Sequence, residues 1–514
     1  MKKNFFFMAA LLVAMTGCNK ELQDGENELS SSEKVYMSFT IKTPTTRSAT
    51  DNAGDTNSNA NPDYEVGKDY ENKVSKVDIV LTNDSGDYIV AEEVTPTGVI
   101  DNKYIAAFSS LELEAETEYD VYIYANCKAP KTKNLDAISS EPIEDMTKEN
   151  NFWMTSAYEA KSVTLPANMS IYTSPASPLN LGVHPVERSM ARIDIAPYKN
   201  YEFEIEDTEV YVTLTEAAII NQSASFYLLR RVSDDGTNKN WTVGGVETPN
   251  NYVVDTDWET KSAGFQNALI DALREENYFT QHMLWPDQFG WYALPNETGN
   301  SDEWDNNEKD YKIWQYCKEN TIPGTKNQQK GFTTAVVFRG EISSTLLPLQ
   351  AYMNAGENLY MFENVLYGNW RAVTDAAAKE DAPVTLKEAV AKVIKWGLND
   401  EYLDAPESVQ LLRECGFTGF SRNNDGKYMT YYYYWIRHND NGDNGVMGNM
   451  EFAVVRNNVY KLCVDNIYKL GHPAPGNPDP VPEGPFDPDE DLNYYFNVTV
   501  DVLPWTVRVN NIEF

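Results

Sequence analysis

Alternating apolar and polar positions mark both ends of this chain. In each run four apolar residues stand two positions apart: Val35, Met37, Phe39 and Ile41 near the start, and Phe496, Val498, Val500 and Val502 near the end. Because successive side chains of a β-strand point to opposite faces, each run places one apolar row on one face of a strand. We therefore predict two similar strands, one at each end of the protein.

The C-terminal alternation changes phase at Pro504. Beyond it the apolar row moves to odd positions: Trp505, Val507 and Val509. A single flat strand cannot bury both halves on one side, so the tail, residues 493–514, is predicted to be two strands or one kinked strand. Residues 471–492, directly before it, are rich in Pro and acidic residues, which is typical of an extended, semi-rigid spacer. On such a spacer the tail can reach its own sheet or that of a neighbouring molecule.

Short runs of β-forming residues between turn residues predict a mainly-β fold for the rest of the chain. The aromatic content of 32 Tyr, 20 Phe and 11 Trp against 28 Gly favours sheets over helical bundles. Because 514 residues exceed one ordinary core, we expect two large domains, over residues 48–199 and 200–470.

Two helices are predicted within the second domain, each packed on a sheet. The first has Thr385 and Glu388 as a capping box and Gly397 as its stop. Its predicted core stripe is Leu386, Val390, Val393 and Ile394. The second carries Pro406 in its first turn and stops at Gly416.

The first residues predict a targeting segment. Two lysines precede an apolar stretch, residues 5–13, which is too short to span a bilayer and leads to small residues before Cys18. Cys18 directly after Thr and Gly resembles a bacterial lipobox, in which a signal peptidase cuts before a cysteine that carries lipid. We predict a signal peptide over residues 1–17 and a lipid on Cys18. The alternative is an ordinary secretory signal with an incidental cysteine.

A low-complexity loop follows the first predicted strand. Arg47 is the one basic residue of this loop, residues 43–63. Because exposed, unpaired backbone can enter an extended protease groove, the position favours Arg47 as a target for a protease that cuts after Arg. The alternative is that the loop contains an arginine by chance.

Charge and composition exclude several functions. A formal net charge of −36 at pH 7 repels nucleic acid and anionic lipid. None of the 4 His stands at metal-ligand spacing from another His or Cys, and the common catalytic and phosphate-binding motifs are absent. We predict no enzyme, no metal site and no cofactor. The widely spaced remaining cysteines are predicted to be buried free thiols: Cys127, Cys317, Cys415 and Cys463.

Two further stretches have a structural and a functional interpretation. The Asn- and Asp-rich loop 439–445 fails the EF-hand register, so we interpret it as a turn between strands. The aromatic run 431–435 is interpreted as core first and as an adhesive, glycan-stacking surface second, because adjacent strand residues face opposite ways.

Several stretches through nearly the whole chain point to one family. They include VERSMARIDI from Val186, YCKENTIPGTKNQQKGFTTAVVFRGEI from Tyr316, MEFAVVRNNVYKL from Met450 and PWTVRVNNIEF from Pro504. Together they resemble the fimbrillins of the Bacteroidetes, the subunits of type V pili, and most closely the structural subunits of minor, or short, fimbriae. The match is poor over residues 51–63 and 372–382.

The resemblance implies two transthyretin-like β-sandwich domains, the second with a few packed helices and long insertions. It also implies a precursor that is anchored in the outer membrane through lipid on Cys18. Residues 18–47 would be a propeptide, and an Arg-specific protease would cut the bond between Arg47 and Ser48. The first strand would then leave, and the tail of another subunit would fill its place as the donor strand, giving a surface polymer.

The implied partners are other fimbrial subunits, including anchor and tip proteins, the protease, the outer membrane and an unidentified host or bacterial ligand. In this hypothesis Pro504 is the hinge of the tail, and Trp505→Ala weakens polymers while the monomer stays folded. The alternatives are a tip or accessory subunit, or a monomeric surface lipoprotein that binds glycan or protein with its tail folded back on its own sheet.

Overall fold

The computed structural model describes residues 34–42, 65–96, 103–157, 161–197, 199–206, 208–244, 252–259, 283–284, 291–295, 311–324, 334–397, 406–439, 446–448, 450–473 and 496–506.

Strands dominate the N-terminal part of the chain. Its elements are β1 (Lys34–Lys42), β2 (Glu65–Val66), α1 (Asp69–Asn72), β3 (Val77–Thr82), β4 (Tyr88–Val94), β5 (Lys103–Ser109), β6 (Glu118–Ala125), β7 (Ile138–Ser139), α2 (Ile143–Met146), β8 (Met154–Ser156), β9 (Lys161–Thr164), a 3₁₀ turn (Met169–Tyr172) and β10 (Leu179–Arg188). One sheet has the order β4-β3-β6-β8-β10-β1-β5, with β9 paired to β6. A bridge between Pro96 and Tyr104 connects its two outer edges, so the sheet curls around its apolar face.

In the described residues the C-terminal part contains two larger sheets and four helices with assigned bounds. Its elements are β11 (Ala191–Ile195), a 3₁₀ turn (Lys199–Tyr201), β12 (Glu202–Ile205), β13 (Val210–Ile220), β14 (Gln222–Ser223), β15 (Phe226–Tyr227), β16 (Arg231–Ser233), β17 (Thr242–Val243), β18 (Tyr252–Val253), β19 (Met283–Leu284), β20 (Tyr292–Ala293), β21 (Lys312–Cys317), β22 (Ala335–Ser344), α3 (Leu347–Ala355), β23 (Leu359–Phe362), β24 (Val365–Tyr367), α4 (Trp370–Ala377), α5 (Val384–Lys395), α6 (Pro406–Glu414), β25 (Phe417–Phe420), β26 (Met429–Trp435), β27 (Asn458–Ile467) and β28 (Phe496–Thr506).

The two larger C-terminal sheets pack face to face. One has the order β2-β28-β27-β11-β21, and the other has the order β12-β13-β22-β26 with β20 on β13. Ile193 and Leu462 of the first sheet lie in one buried cluster with Val212 and Phe338 of the second. The strands supply these residues because every second side chain points inward. The predicted mainly-β, sandwich-like fold is confirmed.

The helices form an insertion between β22 and β26. Helix α5 begins at Val384 without a side-chain cap, so the predicted capping box is wrong, because Thr385 already lies inside the first turn. Gly397 has φ +74° and ends the helix as predicted. Ile394 was predicted to lie in the buried stripe but is 60% exposed. Ala389 is buried there instead. Helix α6 begins at Pro406, as predicted.

The two parts share an extensive junction. Strand β7 of the first pairs with β15 of the second, and Tyr124, Phe152 and Leu229 belong to one buried cluster that spans both. The chain changes sheets between Arg188 and Ala191. Strand β11 therefore pairs within the second part, although it precedes the predicted domain boundary at residue 199.

Several smaller predictions concern side-chain environment. Cys127, Cys317, Cys415 and Cys463 are free and buried. Burial raises the pKa of the Cys127 and Cys317 thiols, which keeps them protonated and unreactive.

On β26 three of the five aromatic residues are buried, as the core interpretation predicts: Tyr431, Tyr432 and Trp435. Within the described segments no helix is long and apolar enough to cross a membrane.

Candidate strand-exchange site

Strand β1 lies in the interior of the N-terminal sheet. It runs antiparallel to β5, with Met37 opposite Ala106 and Phe39 opposite Tyr104. On its other side it runs parallel to β10, which bulges at Leu181 between Asn180 and Gly182. Its backbone therefore has a hydrogen-bonding neighbour on each side. We call the place that β1 occupies between β5 and β10 the acceptor groove.

The four predicted apolar residues of β1 point into the core. Val35, Met37, Phe39 and Ile41 are at most 3% exposed. The ring of Phe39 stacks on Tyr104 at a centroid distance of 5.4 Å and meets His184 edge-on at 6.5 Å. Burial raises the pKa of Tyr104, so this wall of the groove stays uncharged. The groove is an apolar slot for a strand with alternating apolar residues.

Loss of β1 would expose this core. Four buried side chains of this size contribute about 2 kcal/mol each through apolar burial, and two backbone ladders are lost with them. Because β1 is interior, its departure also leaves β5 and β10 with unpaired edges, which are templates for another strand. The geometry can therefore exchange one strand for another of similar pattern.

The tail strand, β28, pairs with its own molecule. It runs antiparallel to β27 from the pair Ile467 and Phe496 to the pair Asn458 and Pro504. Trp505 and Thr506 then pair in parallel with β2. Within the described residues of the tail, 496–506, a single strand runs through Pro504.

The segment after the Arg47 loop is anchored by a buried carboxylate. Glu71 on α1 is completely buried. Its side chain accepts hydrogen bonds from Arg192 at 3.1 Å and from the Tyr316 hydroxyl at 2.6 Å. Arg192 also binds Asp194 through two hydrogen bonds of 2.8 Å. Burial, and then the neighbouring Glu71 carboxylate, raise the pKa of Tyr316, which therefore stays a donor.

Removal of the Glu71 carboxylate should destabilise the subunit. For Glu71→Ala we expect a loss of roughly 3–5 kcal/mol in unfolding free energy, because a buried arginine loses one of its partners. Chemical unfolding of the variant measures this loss. Glu93 is the control, since its ion pairs with Lys76 and Lys128 are solvent-exposed, and Glu93→Ala should leave stability unchanged. An equal effect of both substitutions would contradict the assignment.

The structure describes some of the predicted site residues and not others. Cys18, Arg47, Ser48, Val507 and Val509 lie outside the described residues. The predicted donor residues from 496 to 505 lie on β28. Sequence reasoning missed the groove walls and the anchor at Glu71, because their partners are distant in sequence. The one available signal was the alternation of apolar residues in β5 and β10.

The C-terminal region matches a known family. A family model described as major fimbrial subunit protein type IV, fimbrillin, C-terminal, matches residues 426–511. Over these residues the chain is similar to the C-terminal region of fimbrillins. The matched region includes β26, β27 and β28. This similarity agrees with the resemblance to fimbrillins found in the sequence. The assignment to minor fimbriae stays a prediction.

Two solved structures similar to this chain are fimbrial proteins. A fimbrilin from Porphyromonas gingivalis W83 is 15% identical, with 93% of this chain and 99% of that chain covered and a TM-score of 0.40. A fimbrial assembly protein from Parabacteroides distasonis ATCC 8503 is 9% identical, with 61% and 100% covered and a TM-score of 0.23. Similarity at these values carries no information about what this chain binds.

Proposed function

We propose that this protein is exported as a lipoprotein and polymerises by strand exchange after proteolysis. In the precursor β1 fills the acceptor groove. Cleavage after Arg47 separates β1 from the rest of the chain, so that β1 and the lipid on Cys18 leave together. The tail of a second copy then enters the groove and joins the two subunits.

The observation that carries the proposal is the position of β1. It is an interior strand whose apolar row is buried, yet only the chain between Lys42 and Glu65, which contains Arg47, connects it to the rest of the protein. One cut therefore turns an integral part of a core into a separate, non-covalent strand. A strand at a sheet edge would leave without opening a core and would give no comparable driving force.

The same geometry accounts for a durable polymer. A donor strand held between β5 and β10 is bound by two backbone ladders and by the apolar wall of the groove. It can dissociate only when the surrounding sheet opens, so dissociation is as slow as partial unfolding. The segment through Arg47 holds 6 basic and 5 acidic residues. Its loss therefore hardly changes the charge of the subunit.

Processing can be tested on the soluble precursor without its signal peptide. Trypsin should cut after Arg47, N-terminal sequencing should give Ser48, and electrophoresis in cold detergent should show a ladder of polymers. Arg47→Ala should remain a monomer that retains β1, because the groove stays filled. A cut protein that loses β1 and still remains a folded monomer would contradict strand exchange.

One observation favours a second candidate function. Because β28 pairs with β27 of its own molecule, the tail contributes to the fold of the monomer, as expected for a surface lipoprotein that does not polymerise. In that case the protein isolated from the cell surface would begin at a lipid-blocked Cys18. N-terminal sequencing of that material separates the two functions, since the polymer requires Ser48 as first residue.

A further inference from the structure

The four inward positions of β1 meet different walls of the acceptor groove. Their partners on the two neighbouring strands are as follows: Val35 pairs with Phe108, Met37 lies between Ala106 and Leu179, Phe39 lies between Tyr104 and Gly182, and Ile41 pairs with His184. A groove with four equal positions would hold an alternating strand in several registers, since a shift of two residues keeps the same side chains inward. Unequal walls can fix one register.

The third inward position has room for a large side chain. Gly182 is the β10 partner of Phe39, so on that side no partner side chain competes for the space. Its φ is +90°, and the bulge at Leu181 directly precedes it. A glycine within a strand is typical of a place where another group approaches the backbone closely. Here the position is occupied by Phe39, which is only 1% exposed.

Two aromatic rings line this third position. The ring of Tyr104 is stacked on Phe39 with an interplanar angle of 21°, and the His184 ring meets Phe39 at 77°. Both residues are buried. Aromatic rings prefer these stacked and edge-on arrangements, so the position favours an aromatic side chain over an aliphatic one. We call Tyr104, Gly182 and His184 the aromatic subsite.

The aromatic subsite does not depend on β1 for its shape. Each member is held by a hydrogen bond within the part of the chain that remains after cleavage: the Tyr104 hydroxyl donates to the Val74 carbonyl at 3.3 Å, the Gly182 amide donates to the Asn180 side chain at 2.9 Å, and Nε2 of His184 donates to the Leu181 carbonyl at 3.1 Å. A site that is formed before its ligand arrives costs less to order on binding. The subsite is therefore ready for a new strand.

We propose that the aromatic subsite sets the register of the strand that fills the acceptor groove, and that it selects strands with an aromatic side chain at the third of their four inward positions. This inference rests on the proposed strand exchange, but it concerns what the groove recognises and not which segment enters it. In β1 the selected residue is Phe39. A shift of two residues would place Met37 or Ile41 in the subsite, and both ring contacts would be lost.

Synthetic peptides test the proposal without any change to the protein. The first has the nine-residue sequence of β1, KVYMSFTIK. The second carries Phe39→Ala. The third carries Met37→Phe together with Phe39→Met, so its composition equals that of the first. Each is added to the soluble precursor after trypsin has cut it and has been inhibited. Electrophoresis in cold detergent measures polymerisation, and the anisotropy of a fluorescent label on the peptide measures binding.

The first peptide should bind and block the ladder of polymers. The Phe39→Ala peptide should bind about 100-fold more weakly, because truncation of a buried phenylalanine leaves a cavity. The peptide with Met37 and Phe39 exchanged should bind about tenfold more weakly, although it carries the same side chains, because one position is overfilled and the other underfilled. The matched control exchanges Val35 and Ile41, and its loss of affinity should be smaller.

The possible results separate the subsite from strand exchange itself. Equal affinity of the β1 peptide and the peptide with Met37 and Phe39 exchanged would overturn the subsite and leave strand exchange intact. Failure of the cut protein to polymerise without peptide would overturn the proposed function, whereas the expected order of affinities would still support the subsite. Binding of no peptide would show that the groove does not accept a separate strand, and it would overturn both.

Discussion

A precursor whose β1 is linked to β5 by a disulfide will be cut after Arg47 and will still fail to polymerise. Tyr36 and Ala107 are direct partners in the antiparallel pair of β1 and β5. Neither belongs to the buried row, since Ala107 is exposed and Tyr36 is half-buried. After Tyr36→Cys and Ala107→Cys the cross-link keeps β1 in the acceptor groove although its connection to the chain is gone. No incoming strand can then bind.

Reduction provides the internal control for this experiment. Addition of a reductant to the cut, cross-linked protein should release β1 and restore the ladder of polymers in cold detergent. Cys127, Cys317, Cys415 and Cys463 do not interfere, because they are buried, and the soluble precursor for this experiment begins at Asn19. The single variant Tyr36→Cys should polymerise with or without reductant. Equal polymerisation of the oxidised and reduced double variants would show that the donor strand binds elsewhere.

Phe39→Ala should destabilise the precursor and leave the polymer unchanged. Phe39 is 1% exposed and stacks on Tyr104. Truncation of a buried phenylalanine costs roughly 3–5 kcal/mol through lost burial and an unfilled cavity. This loss should appear in the chemical unfolding of the precursor. The mature polymer should dissociate at the same temperature as the wild type, because it no longer contains Phe39.

Phe108 is the matched residue for this comparison. It belongs to the same buried cluster, is 2% exposed and lies on β5, which stays in the mature subunit. Phe108→Ala should therefore destabilise both the precursor and the polymer. If Phe39→Ala lowered the stability of the polymer as much as Phe108→Ala, β1 would have to remain in the assembled fimbria.

Local patterns predicted the strands at both ends well. Four apolar residues at period two in β1 require a buried face, and the structure buries all four. The alternation does not say whether a strand is interior or at an edge, because both present the same pattern to a core. β1 is interior because β5 and β10, about 65 and 145 residues further along the chain, bring complementary backbone edges to its two sides.

The helices and the tail show where local patterns fail. Thr385 and Glu388 have the spacing of a capping box, but α5 begins at Val384 with Pro383 as its N-cap, two residues before the predicted cap. The phase change at Pro504 predicted a division of the tail there. In the described residues β28 runs through Pro504 without a break, because β2, which is distant in sequence, supplies a second partner beyond it.

The sequence by itself determined which segments form strands, the apolar face of β1, the acidic character and the resemblance to fimbrillins, since all of these depend on residue type and short spacing. The tertiary structure alone decided that β1 is an interior strand, that β28 pairs with β27 and that Glu71 binds Arg192 and Tyr316. These arrangements join residues from 29 to 245 positions apart. Their physical reason is the pairing of backbone edges and the burial of a charge with its partners, and neither leaves a periodic signal in one stretch of sequence.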